Sequence, residues 1–244
     1  MLPAQSEGYE TNRRTGFFAY PSDYIVKPIS EQVAILEKLL PGLNSQRGLN
    51  VARDLPSAPN IADGWGVFPK YSRVGEVYAT ALSRVLNILQ EQRPELEMCV
   101  PDYCFEPGNT VLTDRTRDKL TSIESKFSGD YVVYPFQSGK RFAIEDIPFA
   151  DDRGVENEFD LDPLAVVVLL LTHPERLSSM KDLKIDCMGA ELFKKIPGPH
   201  SVFFNDERIC SYFTINMPGG QFKFMPLYGY TAHSQFGIAT GFEV

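Results

Sequence analysis

The longest regular alternation of apolar and polar positions lies between Ser72 and Gln92. Val74, Val77, Tyr78, Ala81, Leu82, Val85, Ile88 and Leu89 recur every three or four residues, while Arg73, Glu76, Thr80, Ser83, Arg84, Asn87 and Glu91 fill the opposite side. That period predicts an amphipathic helix with one face on a core. A shorter helix is predicted from Ser30 to Leu40, with Val33, Leu36, Leu39 and Leu40 inward and Pro41-Gly42 as its stop. A third is predicted from Thr113, a capping residue followed by Asp114, to about Phe127, with Leu120, Ile123 and Phe127 as a thin apolar edge.

Two segments depart from the amphipathic pattern. Leu164 to Leu171 is apolar at every position and follows Asp162-Pro163. Asp as N-cap and Pro in the first turn favour a helix, and uniform apolarity makes it an interior one; the three valines leave a buried strand as the alternative. Pro174 then forces a break at His173. Tyr131 to Phe136 has the aromatic and β-branched character of a strand. From Ser201 onward, Val202 to Phe204, Ile209 to Ile215, Gln221 to Tyr228 and Gln235 to Phe242 read as short strands joined by turns. Gly48 to Pro69, punctuated by Pro56, Pro59, Gly64 and Gly66, reads as a long connection. The fold class expected is α+β: a helical N-terminal two-thirds packed on a C-terminal antiparallel sheet. No linker divides the chain, so residues 1–244 are expected to form one domain, with 1–12 a loose tail.

Composition narrows the function classes. A net charge of -8 and only 24 Lys and Arg argue against a nucleic-acid binder, which needs clustered cations. The eight-residue run from Leu164 is far short of the roughly 20 residues of a membrane span. Met1 to Thr11 lacks a basic segment followed by an apolar one, so no export signal is read there. A cytoplasmic location follows as the expectation, with Cys99, Cys104, Cys187 and Cys210 as free thiols.

Candidate chemistry gathers just after the apolar run. His173, Glu175 and Arg176 could supply a general base, a carboxylate and an anion clamp; Asp186 and Cys187 could supply an acid and a nucleophile. The bland alternatives are a His-capped helix with a surface ion pair, and a small buried thiol. With only three histidines in the chain and no HxH, HxxxH or HExxH, no metal site is expected, although His173, Glu175, Asp186, His200, Asp206 and His233 could converge only in space. Ser138-Gly139-Lys140-Arg141 lacks the spacing of a phosphate loop. The acidic stretch from Glu145 through Asp151-Asp152 to Asp162 does not match a calcium-binding loop. No cofactor is expected.

Asn157-Glu158-Phe159, the string Leu170 to Leu177 (Leu-Leu-Thr-His-Pro-Glu-Arg-Leu) and Leu183 to Cys187 together resemble a family of uncharacterised bacterial proteins, with a further likeness around Arg14 to Phe18. The resemblance implies a bacterial, cytoplasmic protein and carries no activity with it. The leading expectation is therefore a non-catalytic binding or interaction protein for a polypeptide or small molecule, engaging neither nucleic acid nor membrane, with its oligomeric state open. The rival is a hydrolase or transferase built on His173, Glu175, Arg176, Asp186 and Cys187.

Overall fold

The structure is a computed structural model that describes residues 19–44, 55–100, 102–140, 157–179, 181–192, 209–215, 222–228 and 236–244. The expectations for the N-terminal tail, Arg13-Arg14, Arg141, the acidic stretch from Glu145 to Glu156, the strand at 202–204, and His200, Asp206 and His233 fall outside those residues.

The element order is α1 (Ile29–Leu39), β1 (Gly64–Pro69), α2 (Tyr71–Val74), α3 (Tyr78–Gln92), β2 (Leu96–Met98), β3 (Thr110–Leu112), α4 (Asp114–Ser125), β4 (Tyr131–Ser138), β5 (Glu158–Asp160), α5 (Pro163–Thr172), β6 (Lys184–Leu192), β7 (Ile209–Ile215), β8 (Phe222–Tyr228) and β9 (Phe236–Phe242). Among the described residues, nine strands join in one sheet of order β1-β4-β9-β6-β7-β8-β2, with β3 added to β6 and β5 to β9. The sheet is mixed: β6 runs parallel to β9 and β2 parallel to β8, while the β1–β4, β4–β9, β6–β7 and β7–β8 pairs are antiparallel.

This corrects the expected architecture. There is no helical two-thirds laid on a C-terminal antiparallel sheet. Strands begin at Gly64 and alternate with short helices, and β9, at the C-terminus, sits between β4 and β6 in the middle of the sheet. The physical reason is that β1, β2, β3 and β5 are too short or too rich in Gly and Pro to carry a local strand signal; pairing with distant strands holds them. In β1 the glycines are required by packing. A Cβ at Gly66 would lie 2.5 Å from the Phe68 ring and 2.9 Å from Phe136.

α5 forms the helix expected of its sequence. The Asp162 side chain accepts from the amides of Leu164 and Ala165, and Pro163 opens the first turn. Every residue of α5 is buried. It lies between the sheet, where it meets β1 and β6, and a cover formed by α1 and α3, which is why no polar face survives. The helix expected over Ser72 to Gln92 breaks at Gly75, whose backbone is extended and where a Cβ would meet the Ala81 amide nitrogen at 2.5 Å. The result is α2 and α3 in sequence. One hydrophobic cluster, from Val33 to Ala239, unites α1, α3, α5 and the inner face of the sheet.

Candidate functional site

The two ends of α5 organise the polar interior. At its C-terminal end, His173 is fully buried. Its Nε2 accepts the Lys27 amide proton at 2.9 Å, so the ring proton resides on Nδ1, which lies 2.8 Å from Thr172 Oγ1. Burial, reinforced by the nearby Lys27 ammonium, lowers the imidazole pKa to about 4. The ring is neutral at pH 7 and its only lone pair on nitrogen is already occupied. Glu175 accepts from Lys27 Nζ at 2.6 Å. Together these contacts fasten the segment leading into α1 to the end of α5.

Arg176 follows in the 3-10 turn Pro174–Leu177 but points elsewhere. It is 1% exposed. Nε donates to Ser138 Oγ at 2.8 Å, Nη1 to the Leu183 carbonyl at 2.8 Å, and Nη2 to the Ser138 carbonyl at 2.5 Å. The guanidinium carbon sits 4.2 Å from the centre of the Tyr20 ring. The Ser138 and Tyr20 hydroxyls both donate to Asp63 Oδ2, at 2.8 and 2.9 Å. Burial first, then the Asp63 carboxylate, holds the Tyr20 hydroxyl far above its ordinary pKa. Arg176, Ser138, Tyr20 and Asp63 thus form a closed polar knot with the buried cation inside it, as a buried charge requires.

The N-terminal end of α5 carries a second pair. Tyr78, the first residue of α3, donates to Asp162 Oδ1 at 2.6 Å. Burial raises the Asp162 carboxyl above the usual carboxylate range, against the pull of its hydrogen bonds. The same burial, with Asp162 beside it, raises the Tyr78 hydroxyl, to which the Cys187 sulfur also lies within electrostatic reach. Cys187 is fully buried. α5 spans ten residues, or about 15 Å at 1.5 Å per residue. His173 closes α5 at its C-terminal end, whereas Cys187 lies on β6 two residues before Gly189, which packs against Asp162 at the N-terminal end.

Asp186 precedes Cys187 on β6, and adjacent residues of a strand face opposite ways. Ile185 and Cys187 enter the core cluster beneath α5, whereas Asp186 does not. Its register partners are Ile238 on β9 and Tyr212 on β7. Burial alone pushes its carboxyl up to about 7, and its Oδ1 has no hydrogen-bond partner among the described residues.

The five candidate residues are thus distributed over three places. His173 and Glu175 share the Lys27 contact; Arg176 belongs to the Ser138 knot; Asp186 and Cys187 occupy opposite faces of β6. The residues that sequence reasoning passed over are Tyr20, Asp63 and Tyr78, while Ser138 was weighed only as part of a phosphate loop. Tyr78 read as one more apolar position of its helix, and nothing local announces an aspartate partner 84 residues away. No group of three or more His, Cys, Asp and Glu able to hold a metal occurs among the described residues.

One open cleft of ordinary ligand size lies close to the His173 end. Its volume is about 590 Å³. Ile35 and Leu39 of α1, Leu89 of α3, Leu170 and Leu171 of α5 and Pro174 make the apolar wall, while Lys38, Gln92, Arg93, Glu175 and Ser178 stand among its lining. The C-terminal ends of α3 and α5 both reach it. Arg93 is held against this wall by donating to the Leu177 carbonyl at 2.8 Å and pairing with Glu95 at 2.9 Å.

No family model, curated protein or solved structure matches the chain.

Proposed function

We propose that the protein is a non-catalytic binding protein whose ligand, a small molecule with an apolar body and a polar end, occupies the cleft between α1 and the C-terminal ends of α3 and α5. The observation that carries this reading is the cleft itself. At about 590 Å³ it falls in the size range of small-molecule sites, and it combines a leucine-rich wall with a few polar side chains able to orient a guest. The placement of the candidate catalytic side chains supports the same reading. A general base needs an available lone pair within reach of its nucleophile, whereas the Nε2 lone pair of His173 already accepts a backbone N–H.

The reading includes a cytoplasmic setting. Among the described residues, Cys99, Cys104 and Cys187 take part in no disulfide, as a reducing compartment favours. Among the described residues, no helix is long and apolar enough to cross a membrane.

The test is titration with 8-anilinonaphthalene-1-sulfonate, an apolar fluorophore with a polar end. The native protein is expected to bind it saturably with enhanced fluorescence. Leu39→Glu and Ile35→Asp, both at partly exposed positions of α1, are expected to weaken binding at least tenfold while leaving the unfolding midpoint within a few degrees. Saturable binding that ignores both substitutions, or no binding at all, would remove the cleft as the site.

A further inference from the structure

A second cleft adjoins the first. Its volume is about 480 Å³, and Leu39, at the end of α1, lines both. α3 is their common floor. Leu89 and Gln92 line the first cleft, whereas Ser83, Asn87, Ile88 and Glu91 line the second. Phe105, in the 3-10 turn Asp102–Phe105, joins Leu39 and Ile88 in the apolar wall of the second.

The two linings differ in character. The first is dominated by leucines, whereas the second carries a row of hydrogen-bonding side chains. Ser83, Asn87 and Glu91 recur every fourth residue of α3 and so share one face. From first to last the row is about 12 Å long at the helical rise of 1.5 Å per residue. Among the described residues, none of these three side chains has a hydrogen-bond or ion-pair partner. Their neighbours in the same lining are already engaged: the Thr80 hydroxyl donates to the Val77 carbonyl at 2.8 Å, and Arg84 Nη1 to the Val74 carbonyl at 3.0 Å. We infer that the ligand is an amphiphile with an uncharged polyhydroxyl head, an alkyl glycoside in chemical class. Its chain lies in the first cleft and its head passes Leu39 into the second. This inference rests on the binding function proposed above and names the chemistry of the polar end.

The charges around the two clefts disfavour an ionic head. In the second, Arg84 and Glu91 oppose each other in sign. In the first, Glu175 is paired with Lys27 at 2.6 Å and Arg93 with Glu95 at 2.9 Å. Lys38 stands in the last turn of α1, where the negative end of that helix, and those of α3 and α5 beside it, offset its charge. A carboxylate would meet Glu91 and the helix ends; an ammonium would meet Lys38 and Arg84. Hydroxyl groups avoid both conflicts. A serine hydroxyl donates and accepts, an asparagine amide does both, and a carboxylate accepts, so a ring bearing several hydroxyls can engage the whole row. The C–H faces of such a ring are apolar and suit the Phe105 and Ile88 wall.

The experiment uses n-hexyl glucoside as the probe. n-Hexanol, hexanoate and n-hexylamine share its chain, and backbone amide shifts of the isotope-labelled full chain are followed by NMR. The glucoside is expected to shift the Leu170 and Leu171 amides through its chain and the Ser83 and Asn87 amides through its head. It is expected to bind at least tenfold tighter than n-hexanol and tighter than either charged compound. Ser83→Ala combined with Asn87→Ala, at helix positions that alanine suits, is expected to erase most of that advantage. A charged hexyl compound or n-hexanol that matches the glucoside, an advantage that survives the double substitution, or shifts confined to Leu170 and Leu171 would overturn the assignment of the head and leave the first cleft standing. Leu170 and Leu171 amides that respond to no hexyl compound would remove the first cleft as the site, and this inference with it.

Discussion

His173 illustrates how one side chain can look catalytic in sequence and be structural in the fold. An imidazole after an apolar run, beside Glu175 and Arg176, has the composition of an acid–base site. In the fold its Nε2 is committed to the Lys27 amide and its Nδ1 to Thr172. The sign of its linkage to stability follows from its lowered pKa. The unfolded imidazole takes up a proton near pH 6.5 and the folded one only near pH 4. Stability is therefore complete above about pH 6.5 and is lost as pH falls toward 4, by up to roughly 3 kcal/mol. Urea unfolding between pH 7 and pH 4 measures this directly. His173→Gln is expected to be less stable at pH 7 but to show a shallower decline. An equal decline in both would mean that His173 does not titrate as its burial implies.

At the scale of elements, what the chain discloses depends on whether the stabilising contacts are local. α5 was legible because its cap, its first-turn proline and its apolar core lie within a dozen residues, from Asp162 to His173. β4 was legible from its own β-branched and aromatic residues. β1 was not, because Gly64, Gly66 and Pro69 look like loop residues until Val26, Phe68 and Phe136 are seen occupying the space where side chains would be. β6 was hidden for a related reason: it places Lys184 and Asp186 inside the protein, where a sequence reading expects solvent. Its Gly189 is fixed by close approach. A Cβ there would lie 2.3 Å from the Asp160 carbonyl oxygen and 2.6 Å from the Asp162 amide nitrogen. Gly189→Ala is accordingly expected to cost about 2–4 kcal/mol by forcing β6 away from the β5–α5 junction. Chemical denaturation at pH 7 reads this loss, and an unchanged midpoint would show that the junction yields cheaply.

For the whole molecule, the decisive contacts are those that join distant parts of the chain. Arg176 ties the turn after α5 to the end of β4 through Ser138 and to the chain just before β6 through Leu183. Removing it by Arg176→Ala leaves Ser138 and Asp63 in a buried knot without their cation, a change expected to cost about 3–5 kcal/mol. Hydrogen exchange should also quicken at the Leu183 amide, which donates to Ala19 in the segment that Arg176 helps to hold. Full protection at that amide in the variant would show that the knot is not what fastens the segment. The cleft offered in support of binding is equally a product of assembly, since its wall draws on α1, α3 and α5. By itself the sequence determined the local elements whose signals are contiguous: α1, α4, the capped interior helix α5, β4, and the strand character of β7, β8 and β9. Only the tertiary structure decided that β9 would lie between β4 and β6, that strands would interleave with helices from Gly64 onward, and that His173 would commit its Nε2 to the Lys27 amide. Those outcomes depend on pairing and burial between residues far apart in the chain, and such contacts have no energy until the chain has closed on itself.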